Sequence, residues 1–277
     1  MDKAIIFSVY DFVSFHMACT LLNKGIEVTG IHIDEEGKAP FLEEKRLEVG
    51  RNANYREISL SELDQYSEDG PTNTTLILSL YDFYMAKTEN ILQEQTVTRL
   101  SQFIESKHAP TDMLFILPIQ LLRPEVPQTL RAVINQTNGW EKNNRFFYLP
   151  AIYGPWQPAA FTFQQALSAK MNDLEIKASN REWTGDILYV EDAVETILSS
   201  YERTDADDGD NSFLIESGIK NYWVQCAEQM QLDKFIMNEI HNEQLEIDKT
   251  VSRVTVNRVT PFRESIEKQL EMMKRLI

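Results

Sequence analysis

The chain predicts an α/β fold, a doubly wound, Rossmann-like parallel sheet of six or seven strands carrying a small, mostly helical C-terminal lobe. Three observations carry this expectation. Strand-like and helix-like segments alternate from residue 3 to about residue 155. The strand candidates are nearly continuous apolar runs, which suit parallel strands buried on both faces rather than half-exposed antiparallel ones. Beyond residue 155 the alternation stops and helical patterns dominate.

KAIIFSV (3–9) is a short apolar run rich in β-branched residues, the first strand. Phe12 to Lys24 reads as a helix with Phe12, Val13, Met17, Leu21 and Leu22 apolar, stopping before Gly25. IEVTGIHI (26–33) is the second strand, 40–50 a helix, NYREISL (54–60) the third strand and TTLILSL (74–80) the fourth. Glu89 to Lys107 predicts a long amphipathic helix, with Ile91, Leu92, Leu100, Phe103 and Ile104 apolar. DMLFILPI (112–119) and RFFYLPAI (145–152) are the fifth and sixth strands, with a helix over 125–137 between them. Helices follow near 158–171, 191–202 and 219–231. A last one opens at Thr260-Pro261, read as a cap residue followed by proline at the first helical position. The domain reading is therefore 1–155 with 184–217 returning to it, and 156–183 with 218–277 as the lobe.

Charge and composition narrow the function. The 277 residues include 27 Lys and Arg against 43 Asp and Glu, a net charge of −16. The excess is spread over both halves, so no basic patch invites nucleic acid, and an anionic membrane surface would repel the chain. No apolar run reaches the roughly 18–20 residues of a membrane span, and the N-terminus lacks a signal-peptide cleavage pattern. Cys19 and Cys226 stand far apart and imply no disulfide framework or zinc knuckle; a cytoplasmic setting is expected. His16, His32, His108 and His241 are dispersed, so no metal site is expected. The acidic stretch Glu202 to Asp210 lacks the spacing of a calcium loop.

In this fold class a dinucleotide lies across the carboxyl ends of the strands, its pyrophosphate at the N-terminus of the first helix. The turn at that place reads Ser8-Val9-Tyr10-Asp11-Phe12-Val13-Ser14. Here KAIIFSVYDFVSFHMACTLLNKGIEVTGIHID resembles the opening of the extended short-chain dehydrogenase/reductases, the NAD-dependent epimerase/dehydratase family. LPAIYGPWQP (149–158) is similar to that family's segment ending in Tyr-Gly-Pro. GDILYVEDAVETIL (185–198) resembles its Val-Asp-Asp segment, FLIESGIKNYWVQCAEQM (213–230) its Ile-Gly-Ser-Gly segment, and 259–277 its closing helix.

The departures from that pattern bear on function. The family's first turn is Gly-x-x-Gly-x-x-Gly, and the matching positions are Ser8, Asp11 and Ser14. Glycines there permit the tight turn, the approach of the pyrophosphate and close helix packing. Asp11 instead puts a carboxylate where an anion should sit, placed to cap the helix itself. The family's catalytic Tyr-x-x-x-Lys is absent: no tyrosine of this chain has a lysine four residues on. Strand five also runs almost directly into Arg123-Pro124-Glu125, without the family's longer segment. Asp34, 26 residues after Ser8, matches the acidic residue that in the family holds the adenosine ribose and selects NAD.

The positional equivalents of a cofactor site are thus Ser8, Asp11, Ser14 and Asp34, with no catalytic residue assigned. No cofactor is expected, and NAD if any. The reading is a pseudoenzyme kept as a binding, regulatory or structural module. The alternative is a nucleotide-binding oxidoreductase or epimerase acting on a sugar nucleotide through other residues. The apolar stripe Leu92, Val97, Leu100 and Ile104, on a helix whose family counterpart lies at a dimer seam, leads to the expectation of a homodimer through 89–107 and 125–137.

Overall fold

In a computed structural model, the described residues are 1–33, 41–66, 73–106, 110–123, 128–137, 143–172, 175–177, 179–203, 211–233, 236–237 and 247–276. Eight parallel strands form one sheet. They are β1 (Lys3–Phe7), β2 (Glu27–His32), β3 (Tyr55–Ser59), β4 (Thr74–Ser79), β5 (Asp112–Pro118), β6 (Asn143–Leu149), β9 (Ser212–Glu216) and β10 (Ser252–Thr255). Their order is β10-β9-β6-β5-β4-β1-β2-β3. The central position of β1 and the reversal of strand order beside it make the sheet doubly wound. A separate parallel pair joins β7 (Ala151–Tyr153) to β8 (Ile187–Tyr189). Among the described residues no helix is long and apolar enough to cross a membrane.

The strands are apolar throughout because both faces are covered. Ala4 and Ile6 of β1 pack into the same core as Ile77, Leu114 and Phe147. Ile5 and Phe7, pointing the other way, pack with Leu76, Leu78, Met113 and Phe115. The first core is closed by α1 (Phe12–Asn23) and α7 (Val190–Arg203). The second is closed by α4 (Glu94–Ile104) and α5 (Gln128–Thr137). Around these lie α2 (Leu42–Val49), α3 (Leu80–Ala86), α6 (Thr162–Asn172), α8 (Tyr222–Gln229) and α9 (Phe262–Arg275).

Several sequence expectations need correction. The sheet has eight strands rather than six or seven, because residues 252–255, in the stretch read as lobe, pair with β9. The run 145–152 is two strands, broken at Pro150, which has no N–H for a ladder. Glu89–Ile91 is a short 3₁₀ turn, and the long helix begins only at Glu94. Helix α3 was not foreseen, since the run through residue 80 reads as strand. Ser79 begins it by accepting the Asp82 N–H. Thr260 does not cap α9; its N–H and hydroxyl both donate to Asp192, and Pro261 is the residue before the helix.

The apolar stripe on α4 is also spent differently. Leu92, Val97, Leu100 and Ile104 are buried in the core under the sheet. The outward positions of α4 and α5, such as Gln95, Thr98, Gln102, Thr129 and Asn135, are polar and exposed. The stripe is therefore covered by the chain's own sheet.

Candidate functional site

The corner between β1 and α1 is where a dinucleotide fold receives its anion. Ser8 takes φ of 50°, a left-handed conformation that favours glycine, so this position keeps the backbone of the family's first glycine without the residue. Its hydroxyl donates to the Asp11 carboxylate at 2.6 Å, and the Asp11 N–H donates to the Ser8 carbonyl at 3.0 Å. Asp11 is the residue before α1, yet its side chain does not cap the helix. That corrects the role expected from its position.

A different carboxylate does the capping. Asp82, in the first turn of α3, accepts the Val13 N–H at 2.9 Å on one oxygen and the Ser14 N–H at 3.0 Å on the other. The Ser14 hydroxyl adds a third donor at 3.2 Å. Ser14 and Asp82 are both buried. The first turn of α3, at the end of β4, thus reaches across to the N-terminus of α1 and satisfies two of its orphan donors with one carboxyl group.

Lys45 of α2 completes the group. It is 1% exposed, an extreme for a lysine, and donates to the Tyr10 carbonyl at 2.6 Å. Its ammonium lies 5.3 Å from the Phe15 ring and 5.9 Å from the Trp156 ring. Burial holds Lys45 down to about 8, opposed by the attraction of Asp11 and Asp82. Burial, together with the neighbouring Asp82, pushes Asp11 up to about 7. Asp82 is also raised by burial, against the pull of its backbone donors.

Beside this group the space over β2 and β3 is filled by side chains. The Tyr10 hydroxyl donates to Glu57 at 2.5 Å, the Tyr55 hydroxyl donates to Tyr10 at 3.0 Å, and Arg46 grips the other Glu57 oxygen at 2.6 Å. Gly30 on β2 makes room for this: a Cβ there would lie 2.6 Å from the Tyr55 hydroxyl and 2.8 Å from Val9. Asp34, the ribose candidate, lies outside the described residues, as do His108 and His241.

The carboxyl ends of β4 and β5 are closed from the other side. Arg181 donates to the Tyr84 carbonyl at 2.5 Å, forms an ion pair with Glu89, and stacks 4.8 Å from the Tyr84 ring. Gln120, just past β5, donates to the Arg181 carbonyl at 2.5 Å. Next to Arg181, the buried Glu182 accepts the Thr162 N–H at 3.0 Å and its hydroxyl, fixing the start of α6; burial raises it to about 7. Helix α5, QTLRAVINQT, contains neither tyrosine nor lysine.

Two cavities lie away from this corner. One of about 430 Å³ sits at the carboxyl ends of β9 and β10, lined by Ile119, Trp183, Asp186, Ile219, Lys220 and Arg253 among others. Asp186 there accepts the Ser217 hydroxyl and N–H. The other, about 570 Å³, lies on the outer side of α1 between His16, Cys19, Glu48, Glu191 and Met272. His16 is buried, bonded to the Pro155 carbonyl at 2.8 Å, and held by burial down to about 4. Burial raises the half-buried Cys19 thiol to about 12, which makes it a poor nucleophile. Neither cavity is lined by Ser8, Asp11, Ser14 or Asp82. Among the described residues no group of three or more His, Cys, Asp or Glu could hold a metal ion.

The sequence singled out Ser8, Asp11 and Ser14, and the structure does bring them together. It missed Asp82, Lys45 and Arg181. A lone acid in the apolar run LILSLYDFYMA was the available signal for Asp82.

This architecture is the fold of the NAD-dependent epimerases and dehydratases, the extended short-chain dehydrogenase/reductases. UDP-glucuronic acid 4-epimerase from Bacillus cereus, solved in complex with NAD, superposes with a TM-score of 0.68 at 12% identity, covering 99% of both chains. dTDP-glucose 4,6-dehydratase from Bacillus anthracis str. Ames, also in complex with NAD, gives 0.67 at 9% identity over 99% of this chain and 97% of its own. MoeE5, in complex with UDP-glucose and NAD, gives 0.60 at 14% identity over 99% of both. No family model matches the chain, and no curated protein matches it. These neighbours were solved with NAD, and at the β1–α1 corner of this chain the first-turn donors are differently occupied. The Val13 and Ser14 donors are taken by Asp82, and Asp11 adds a second carboxyl beside them.

Proposed function

We propose that this chain is a pseudoenzyme: the dehydrogenase-like fold retained as a binding, regulatory or structural module, without dinucleotide and without redox chemistry. The observation that carries this reading is the state of the sheet's carboxyl edge. The helix after β5 has no tyrosine or lysine to donate a proton or lower a partner's pKa. The edge over β4 and β5 is held shut by the Arg181 contacts to Glu89, Tyr84 and Gln120. Opening it would break a largely buried ion pair and expose its partners, which costs about 3–5 kcal/mol when one member is lost.

The second reading is an enzyme acting on a sugar nucleotide with other residues. The cavity of about 430 Å³ at the ends of β9 and β10 speaks for it, since it offers room for part of such a ligand. One experiment separates the two. The chain is incubated with NAD and UDP-glucose or UDP-glucuronic acid, while absorbance at the reduced-cofactor band and the sugar products are followed. The pseudoenzyme reading expects no turnover above the protein-free blank; turnover overturns it.

A further inference from the structure

We propose that Asp82 is a built-in anion that takes the place of a ligand's phosphate at the N-terminus of α1, so that the β1–α1 corner is complete without a cofactor. This deepens the reading above and rests on it for the statement that no cofactor is needed.

Four observations support the proposal. First, the contact is bidentate: each carboxylate oxygen accepts one first-turn N–H, at 2.9 and 3.0 Å, with the Ser14 hydroxyl at 3.2 Å as a third donor. Backbone donors of a helix start converging on one anion are how such folds hold phosphate. Second, the carboxylate comes from another part of the chain, 69 residues from Val13, whereas an ordinary cap is local. The local candidate, Asp11, turns instead to Ser8. Third, Asp82 is 4% exposed and its backbone N–H donates to the Ser79 hydroxyl oxygen at the start of α3, so it is part of the packed core rather than a surface side chain resting on the helix. Fourth, most of the positive charge at the corner is already matched. The helix end supplies about half a positive charge and Lys45 one more. Ionised Asp82 uses one, and Asp11 is pushed up by burial and by Asp82, so that the second carboxyl holds its proton until near neutrality. That leaves about half a positive charge, against the two or so negative charges that a pyrophosphate would bring.

Any external anion must therefore displace the Asp82 carboxylate from the Val13 and Ser14 N–H groups. The consequence is a corner whose geometry does not depend on ligand.

The test is chemical rescue of Asp82→Ala, which removes the carboxylate and leaves a space matching formate. The variant is expected to melt about 5–10 °C below the wild type, as two buried donors lose their partner. Formate should recover part of that loss, relative to chloride at equal ionic strength, and leave the wild type unchanged. A merely structural side chain would give the loss without the anion-specific recovery, and equal effects of formate and chloride on the variant would overturn the proposal. Should the variant not fold, hydrogen exchange of the wild type decides. The Val13 and Ser14 amides should exchange as slowly as the core strands, and exchange at the rate of an open helix start would overturn it. None of these readouts involves NAD or sugar nucleotide, so turnover by the wild type would remove the pseudoenzyme reading while the formate result still judged Asp82.

Discussion

Replacing Lys45 by methionine tests the electrostatics of the β1–α1 corner. Methionine keeps the stem that packs against Phe15 and Trp156 and removes only the charge. The ammonium donates to the Tyr10 carbonyl at 2.6 Å and is the cation that attracts both Asp11 and Asp82. Losing one partner of a buried charge group costs about 3–5 kcal/mol. Asp82 keeps its three donors, so a loss of about 2–4 kcal/mol is the better expectation, or about 5–15 °C in Tm for a chain of this size. The loss should depend on pH in a definite sense. Asp11 is raised from its ordinary 3.8 to about 7, and Asp82 is raised as well. A carboxyl raised in the folded state contributes stability below its unfolded value and loses it as pH rises through the folded one. Without Lys45 both carboxyls rise further, so the variant should lose more at pH 8 than at pH 5. Thermal melts of wild type and Lys45→Met at the two pH values measure this. A penalty of equal size at both, or a larger one at pH 5, would refute the charge-cluster account.

Three further outcomes are expected. Gly30→Ala should destabilise by about 1–3 kcal/mol in chemical denaturation, because its Cβ would meet the Tyr55 hydroxyl at 2.6 Å and Val9 at 2.8 Å in a filled space. His16, held from 6.5 down to about 4 by burial, contributes stability that is present above pH 6.5 and lost as pH falls toward 4; His16→Gln should flatten that acid limb in pH-dependent melts. Light scattering at micromolar concentration should give a monomer mass near 32.1 kDa, since the α4 stripe is spent in the core; a dimer would show a seam elsewhere on the surface.

The sheet was legible because its physics is local. Runs such as LFIL in β5 can be buried on both faces only in a covered parallel sheet, and the helix after β1 has a clear stop at Gly25. The edge strand β10, SRVT, was not legible, because its alternating burial leaves little apolar signal. Helix α3 was hidden because LYDFYMA continues the apolar run of β4 without a break. At the candidate site, the β1–α1 turn could be found because its spacing is fixed by sequence. Its cap could not, because Asp82 meets Val13 through a tertiary contact that no local pattern encodes. The α4 stripe shows the same limit in reverse. Amphipathicity reveals that a face is covered, and only the packing reveals that the cover is the chain's own sheet.

The most direct test of the account is calorimetric titration of the wild-type chain with NAD and NADP at pH 7.5 and low salt. The account predicts no binding tighter than about millimolar, since losing roughly 4 kcal/mol of phosphate recognition weakens a micromolar ligand about a thousandfold. A Kd in the micromolar range for either dinucleotide would contradict it.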